Sequence, residues 1–356
     1  MRKFLSILGT TLFFSGLAGA AEPPASEAPV PGPNSVEAKE STDAEDKETT
    51  TSDDKSDVDA ASKKDEGKKD KSDSKKDKSK KPPPDPWLFY STSTVLFDTN
   101  INHDQTEESS FARIFGLGAV YRRSLKSTDY EVIYEINHHE HTVNRWDRYS
   151  HYLRASAGRP LSKKWSLEMI AEMNLKGSID DADLSDEYLL LPRLAYNINK
   201  QDRLRFFAVY RLRKYPDQAE RDAINRYAGV QFRHKFKGGR ALEFGYRYEL
   251  NNAEGPRYDY LRRTYDVEFT TPLSRRDNLQ LEAKLRPRDY DARLVDVGNE
   301  NVLREDRTWM LTANLVHTLS KHRDLNLYYK YETQGSNDPD KEYGSHLIAV
   351  SLIQRW

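Results

Sequence analysis

The stretch YGSHLIAVSLIQRW, residues 343–356, decides the fold class. From Ile348 onward an apolar residue occupies every second position as far as Leu352, and Ser351 and Arg355 belong to the opposite set. This period of two predicts a β-strand rather than a helix. Trp356 follows directly, and an aromatic residue at a strand end is typical of a membrane–water boundary. We therefore expect a last strand that pairs with the first in a closed transmembrane barrel.

This final strand resembles the C-terminal recognition strand of bacterial outer-membrane barrels, in which a terminal Phe or Trp is read by the assembly machinery. Two residues depart from the usual pattern, since Gln354 stands where an apolar residue is usual and Ile353 lies on the face expected to be wet. The resemblance implies a place in the cell outer membrane, contact with its lipids, and the barrel-assembly machinery as a partner of this strand.

Residues 1–20 have the three parts of a cleaved signal peptide. Arg2 and Lys3 are followed by an apolar run, 5–17, and Ala18-Gly19-Ala20 is a suitable cleavage site. The alternative is an uncleaved anchor, but the apolar run is too short for a spanning helix. The chain has no cysteine, which excludes disulfides and thiolate metal sites.

Residues 21–84 form a low-complexity segment without aromatic residues. Its first half is acidic and rich in Pro, Ser and Thr, and lysine with interspersed Asp dominates residues 63–81. Such a composition buries too little apolar surface to offset the entropy lost on ordering, so we predict disorder. The Lys-rich arm is either a solvated periplasmic spacer or a tether to an anionic periplasmic partner. We expect no nucleic-acid partner, because the segment is exported, mixed in charge and devoid of stacking residues.

Residues 85–356 have the composition of a folded domain, since every Tyr and every Trp of the chain lies there. Segments with alternating apolar and polar residues recur along it; Leu242, Phe244 and Tyr246, for example, alternate with Glu243 and Arg247 on the other face. Each segment has one lipid-compatible face and one that favours water. Their number is about fourteen, an even number as single-chain barrels prefer. The predicted strands are 87–101, 110–124, 128–138, 147–160, 164–176, 187–199, 202–214, 225–236, 240–250, 259–273, 277–287, 304–319, 323–333 and 343–356.

The connections between the predicted strands alternate between short and long without exception. Short turns on the periplasmic side and long loops outside are typical of outer-membrane barrels, whereas a β-sandwich has no reason to alternate so. The predicted fold class is therefore all-β, a single antiparallel up-and-down transmembrane barrel of about fourteen strands behind a signal peptide and a disordered segment. The short connections are 126–128, 162–163, 200–201, 237–239, 274–276 and 320–322, and the long ones are 103–109, 139–146, 177–186, 215–224, 251–258, 287–303 and 334–342.

All five tryptophans fall at ends of predicted strands, which favours two aromatic girdles at the membrane interfaces. The periplasmic girdle is assigned Trp87, Trp165 and Trp356, and the extracellular girdle Trp146 and Trp309.

The polar faces of the strands predict a charged inner surface. Two interpretations remain open: a hydrated lumen whose charges influence which solutes pass, or a network of ion pairs that closes it. From Trp87 onward 41 Lys and Arg stand against 39 Asp and Glu, so no strong ion selectivity is predicted. The candidate pore-lining residues are Glu131, Glu135, Glu168, Glu172, Arg193, Arg205, Arg211, Arg233, Glu243, Arg247, Glu249, Asp266, Glu268, Glu282, Lys284, Arg286, Lys330 and Glu332.

Three polar clusters could carry other chemistry, and for each the simpler interpretation is favoured. The histidine-rich stretch 138–141 could bind a metal, but it lies where a strand enters a loop. The acidic stretch 180–187 lacks the glycine and the ligand order of a dedicated calcium site. Ser150, His151 and Ser156 are close in sequence, yet Ser150 and His151 belong to opposite faces of a strand. We therefore expect no metal, no cofactor and no enzymatic activity.

The stretch Phe97-Asp98-Thr99-Asn100-Ile101 is similar to the aromatic-Asp-Ser-Asn-Ile stretch that opens β-barrel porins associated with exopolysaccharide export. A like stretch opens the barrels of surface lipoprotein assembly modifiers, which carry helical repeats that this chain lacks. The resemblance implies an outer-membrane barrel, and the charged inner face predicts a passive channel for small solutes or glycan chains. The alternative is a non-conducting assembly or secretion partner that acts through the arm or the loop 287–303. A monomer is expected, because no strand shows a conspicuous flat apolar patch.

Overall fold

The structure, a computed structural model, describes residues 85–143, 146–178, 185–216, 218–298 and 300–356. The predicted signal peptide, 1–20, and all of the low-complexity segment, 21–84, lie outside these residues. Within the described part, no helix is long and apolar enough to cross a membrane. The described strands are β1 (Trp87–Asp98), β2 (Ser110–Leu125), β3 (Thr128–His141), β4 (Arg148–Pro160), β5 (Trp165–Ser178), β6 (Asp186–Asn197), β7 (Asp202–Lys214), β8 (Ala223–Lys235), β9 (Ala241–Ala253), β10 (Tyr260–Pro272), β11 (Asp277–Val297), β12 (Glu300–Ser320), β13 (Arg323–Ser336) and β14 (Tyr343–Arg355).

The strands form one closed antiparallel barrel in which each strand pairs with its neighbours in the sequence. The first and last strands close it, with Val95 opposite Val350 and Phe97 opposite Ile348. Closure gives every described strand a partner on both sides, so the barrel presents no free sheet edge there. The predicted fold class, including the pairing of the last strand with the first, is confirmed.

Strand β9 shows why this sequence places its apolar residues outside. Phe244, Tyr246 and Tyr248 are exposed, whereas Glu243 and Glu249 on the opposite face are buried. Successive side chains of a strand point to opposite faces, so in a closed barrel one set must point inward. The same alternation runs through the other strands, and the barrel therefore carries an apolar outer belt and a polar interior.

Short turns join the strands at the end of the barrel where β1 begins. Lys126 adopts a left-handed conformation, φ 55°, in the tight turn between β2 and β3. Between β8 and β9, Gly238 and Gly239 have φ values of 77° and 80°, which glycine adopts at little cost. The opposite end carries longer connections with single 3-10 turns at Ala219–Arg221, Pro256–Tyr258 and Pro339–Lys341.

The segment 287–303, predicted as the longest loop, is instead a β-hairpin. Strands β11 and β12 are 21 residues each, and their ladder continues from Leu294 opposite Leu303 to Val297 opposite Glu300. Gly298, with φ 60°, lies at the turn, and an irregularity after Asp289 offsets the upper ladder from the lower one. The loop prediction was wrong because Pro287 and the dense charges suggest a strand end, whereas cross-strand pairing sustains the ladder.

Candidate functional site: the inner face of the barrel

All of the predicted pore-lining side chains lie on the inward set of their strands, where each is buried or half-buried. Arg193 and Glu168, on neighbouring strands, form an ion pair of 2.9 Å between Nη1 and Oε2. Arg205 Nη1 reaches across β8 to Glu243 Oε1 at 3.8 Å. Local alternation therefore identified the charged positions, while the partner of each charge follows only from strand register.

Glu249 is the centre of the most buried charge cluster. Its carboxylate accepts hydrogen bonds from Arg262 Nη2 at 2.6 Å, Arg211 Nη2 at 3.3 Å and Asn225 Nδ2 at 2.8 Å. Glu249 and Arg262 are both 0 % exposed. Charges removed from bulk water in this way are stable only when paired and hydrogen-bonded, which these contacts provide.

Arginines and tyrosines alternate at the extracellular end of the inner face. Arg213 donates to the side-chain oxygens of two asparagines, at 2.9 and 3.0 Å, and to Tyr260 Oη at 3.0 Å. Arg288 lies 4.8 Å from the centre of the Tyr260 ring and donates to Tyr290 Oη at 3.0 Å. Arg304 lies 4.9 Å from the same Tyr290 ring. Carboxylates are present as well, since Arg304 pairs with Asp306 at 2.8 Å and with Asp338 at 3.8 Å, and Arg288 lies 3.9 Å from Asp306.

The charges of β4–β12 differ between the two halves of the barrel. Among inward residues within seven positions of the periplasmic strand end, eight are basic and six acidic. Further out, the inward set is strongly basic, and all of these side chains are buried. We call this surface the outer basic face; it consists of the basic residues Arg148, Lys176, Arg211, Arg213, Arg262, Arg286, Arg288 and Arg304, with the acidic residues Glu187, Glu249 and Asp306.

A buried apolar cluster lies on β14, β1 and β2 at about the height of the outer basic face. Leu96, Ala112, Ile114, Leu347 and Ala349 pack into one buried cluster on the inward set of β14, β1 and β2. We call it the inner apolar wall. In a closed ring of fourteen strands, β14, β1 and β2 are each seven strands away from β7, β8 and β9. Arg211 and Arg213 of β7 therefore stand opposite the inner apolar wall, whereas the other basic residues are distributed over β4, β5, β10, β11 and β12.

Sequence reasoning missed most of the outer basic face. Arg213, Arg262, Arg288 and Arg304 are absent from the predicted lining, although the period of two places the first two on the inward set of predicted strands. Arg288 lies in the segment 287–303, which was predicted as a loop, and Arg304 directly follows that segment. No inward or outward face was therefore assigned to Arg288. Lys176, at the end of a predicted strand, was also missed.

Four of the five tryptophans have the exposure expected of a membrane girdle. Trp87, Trp165, Trp309 and Trp356 are 37–58 % exposed on the outside of the barrel. Trp146 differs: it is 6 % exposed in the connection before β4, and its Nε1 donates to Asn102 Oδ1 at 3.3 Å. Trp146 therefore does not suit a girdle, because its ring is covered by protein rather than by lipid.

The other predicted polar clusters are divided between the two faces of their strands where the structure describes them. His139 and His141 are buried on the inward set, with ring centres 6.4 Å apart, whereas His138 contacts Tyr149 on the other face. In the described part of the chain, no group of three His, Asp or Glu residues could hold a metal ion. His151 hydrogen-bonds Tyr134 Oη on the outside of the barrel and so lies away from the buried Ser150. The stretch 180–187 lies largely outside the described residues.

The distribution of polarity is the reverse of that in a water-soluble domain. Apolar and aromatic side chains such as Phe244, Val267 and Val350 are exposed around the closed sheet, and charges are buried within. A closed barrel satisfies all of its backbone hydrogen bonds internally, and an apolar belt requires hydrocarbon around it. The chain is a transmembrane β-barrel of the outer membrane, in contact with its lipids.

Solved outer-membrane proteins share this architecture at low sequence identity. The barrel is similar to the outer membrane channel DcaP of Acinetobacter baumannii, with 11% identity and a TM-score of 0.47 over 76% of this chain and 96% of that one. An anion-selective porin from Comamonas acidovorans gives 12% identity and a TM-score of 0.46 over 76% and 98% of the two chains. A bacterial polysaccharide outer membrane secretin gives 8% and 0.45 over 76% and 99%. No protein-family model matches the sequence, and no curated protein matches it.

Proposed function

We propose that the barrel is a passive, hydrated channel through which small solutes or glycan chains cross the outer membrane. The observation that carries this proposal is the charged interior of a closed barrel. A packed core of fourteen strands would require large apolar residues on the inward set, but Arg, Lys, Asp and Glu occupy much of it. Barrels of about eight strands are filled by side chains, whereas barrels of sixteen to eighteen enclose channels, and fourteen is closer to the second group.

Planar-bilayer recording of the full chain tests the proposal. We expect steady current steps that rise linearly with voltage, because a hydrated lumen conducts ions without a chemical step. Boiled protein in the same detergent is the control for leakage. Silent bilayers, with folded protein shown to be inserted, would contradict a channel and would favour an interior closed by its ion pairs.

The size of the solute is tested by liposome swelling with neutral sugars of increasing length. Swelling that stops after a disaccharide supports diffusion of small solutes, and swelling with longer oligosaccharides supports passage of glycan chains. Neutral sugars are chosen because charge then plays no part in the comparison.

A second candidate function is that of a non-conducting assembly or secretion partner. The tip of the β11–β12 hairpin favours it, since Leu294, Val297 and Leu303 are exposed there beyond the barrel. Apolar side chains exposed together at a projecting tip suit a protein contact. Replacing residues 291–303 by Asn-Gly should abolish co-purification of a partner if this candidate is right. Retained conductance in the same variant would favour the channel.

Two further partners belong to the proposal. The last strand, which ends at Trp356, is proposed to be read by the barrel-assembly machinery, and the Lys-rich arm to contact an anionic periplasmic partner. Trp356→Ala should lower the amount of folded barrel in the outer membrane, with Trp309→Ala as the matched control on the outer surface. Equal amounts of both variants would contradict the role of the terminal residue.

A further inference from the structure

We infer that the periplasmic end of the barrel binds the phosphate head groups of anionic phospholipids. The binding surface is the set of exposed Lys and Arg side chains in the six short turns, which we call the rim cations. This inference goes beyond the proposed channel, because it concerns the outer circumference of the barrel and holds whether or not the lumen conducts. The rim cations are Lys126, Lys163, Lys164, Lys200, Lys237, Arg240, Arg275, Arg276 and Lys321.

The two ends of the barrel carry opposite charges. The six short turns, all of which the structure describes completely, contain nine basic residues and no acidic one. At the other end, the described residues of the connections between strands contain eleven acidic and three basic residues. Charge that is segregated in this way creates a positive potential around the periplasmic end, and such a potential attracts anionic partners.

Each turn also presents an exposed apolar side chain one or two residues before its first rim cation. These side chains are 40–59 % exposed and, by the alternation of the preceding strand, belong to the outward set. An outward apolar side chain lies in hydrocarbon, so a cation that follows it directly lies at the level of the lipid head groups. The apolar residues are Leu125, Leu161, Ile198, Phe236, Leu273 and Leu319.

Four of the turns share a sequence and a hydrogen bond that fix the position of the rim cation. In each, the apolar residue is followed by Ser or Asn and then by Lys or Arg, as in Leu273-Ser274-Arg275. The Ser274 hydroxyl oxygen accepts hydrogen bonds from the backbone amides of Arg276 at 3.0 Å and Asp277 at 3.1 Å. The other three turns are closed by the same type of bond. A turn closed by its own side chain is ordered, so it loses little conformational entropy on binding.

Two carboxylates next to the turns are held by partners within the barrel wall. Asp202 Oδ1 lies 2.6 Å from His234 Nδ1, and Asp277 Oδ1 lies 2.6 Å from His317 Nδ1. In the described part of the chain, no rim cation forms an ion pair with a carboxylate. Because the rim cations are also exposed, their charge is available to a partner outside the barrel.

Two anionic partners match this charge: phospholipid head groups and the acidic half of the segment 21–84 of the same chain. The lipid is favoured because each turn combines its cation with an outward apolar side chain, which an acidic and Ser-rich segment does not require. The surface is also continuous with the apolar belt that contacts lipid around the barrel. Phosphate oxygens accept hydrogen bonds from both Lys and Arg, which suits turns that contain both residue types.

Electron paramagnetic resonance of spin-labelled lipids tests the inference on the full chain, folded in phosphatidylcholine vesicles. Spin-labelled phosphatidylglycerol and spin-labelled phosphatidylcholine are added separately, and the fraction of each that is immobilised at the protein surface is measured. We expect phosphatidylglycerol to associate about threefold more strongly than phosphatidylcholine at low salt. The ratio should fall to about one in about 1 M potassium chloride, because exposed charges are then screened.

Neutralising two of the turns tests which residues cause the preference. The variant with Lys163→Gln, Lys164→Gln, Arg275→Gln and Arg276→Gln removes four of the nine rim cations and should lower the ratio to about 1.5. The matched control keeps the charge at the same positions, with Lys163→Arg, Lys164→Arg, Arg275→Lys and Arg276→Lys, and should retain a ratio of about three. Gel mobility without boiling identifies folded protein, and either pair of substitutions is used alone if the four together prevent folding.

Equal association of the two lipids with the unaltered chain at low salt would reject the inference. A preference that survives undiminished in the neutralised variant would reject the rim cations as its origin. Trypsin digestion in phosphatidylcholine vesicles identifies the other partner. If the two lipids associate equally and the segment 21–84 is protected only in chains that keep the four cations, the turns bind the acidic segment of this chain and the inference is rejected. None of these outcomes depends on conductance, so the inference and the proposed channel fail separately.

Discussion

Glu249 is the residue whose loss should affect stability most. It is 0 % exposed and pairs with Arg262 at 2.6 Å, so Glu249→Gln removes the carboxylate that Arg262 and Arg211 share. Removal of one partner from a buried ion pair costs about 3 kcal/mol. The control Glu220→Gln breaks an exposed pair with Arg257, 3.1 Å, and should cost at most about 1 kcal/mol. Urea unfolding in phospholipid vesicles measures both, and equal losses would show that the lumen solvates Glu249 as bulk water does.

His103 makes the loop after β1 sensitive to pH. Burial lowers the pKa of His103, and the nearby Lys330 lowers it further, while Glu332, Asp98 and Asp104 oppose this effect. The folded loop therefore holds a neutral imidazole, whereas the opened loop binds a proton below the usual histidine pKa. The free energy of opening the loop should therefore be highest above pH 7. It should fall as pH drops through 6, by at most roughly 1.4 kcal/mol per pH unit.

Hydrogen exchange of the Ile101 amide, which donates to Glu108 O at 2.8 Å, measures this opening. His103→Asn is the control, because His103 has φ 48° and asparagine tolerates that conformation. The variant should show no pH-dependent step in protection between pH 8 and pH 5. A step of the same size in the variant would assign it to another group.

At the scale of elements, β8 and β9 approach each other closely because Gly229 has no side chain. A Cβ there would lie 2.6 Å from the backbone oxygen of Tyr246 and 2.4 Å from the Phe207 ring. Gly229→Ala should therefore lower the free energy of unfolding by about 1–3 kcal/mol, since backbone must move. Gly344→Ala in β14 meets no atom within 4 Å and should change it by less than about 0.5 kcal/mol. Identical urea midpoints for Gly229→Ala and Gly344→Ala would show that the backbone around Gly229 accommodates a side chain without cost.

Sequence patterns predicted elements well where one face meets lipid. The alternation in β9 and β14 is regular because each outward residue must be apolar, and both strands were located within a few residues. The β11–β12 hairpin was missed because its upper part projects beyond the belt, where neither face must be apolar. There the ladder depends on pairs such as Leu294 with Leu303, and a single-strand pattern does not reveal such pairs.

At the scale of the whole molecule, the apolar belt should make the cost of a charged substitution depend on how deep in the membrane the residue lies. Val350 lies near the middle of the outer face of β14, and His346 lies toward its extracellular end on the same face. Val350→Arg should cost about 2–4 kcal/mol, whereas His346→Arg should cost at most about 1 kcal/mol. Unfolding in vesicles gives both values. A small loss for Val350→Arg would contradict a membrane-embedded outer face.

The charged interior was predicted as a set of positions, but its arrangement was not. The nearly equal totals of basic and acidic residues, 41 and 39 from Trp87 onward, predicted no strong ion selectivity. In the structure, basic residues such as Arg213 and Arg288 are concentrated in the outer half of the inner face, and apolar residues such as Leu96 pack together on β14, β1 and β2. Total charge contains no information on which strands become opposite each other or on the height of a residue in the barrel.

The sequence by itself determined the all-β class, the approximate strands, the closed barrel and the inward or outward set of most side chains. These properties follow from a period of two and from turn length, which are local. Only the tertiary structure decided the partners of Glu249, the hairpin that replaces the predicted loop, and the position of Arg211 and Arg213 on the side opposite the inner apolar wall. The physical reason is that register and ring closure join residues far apart in the chain, so their contacts depend on all fourteen strands together.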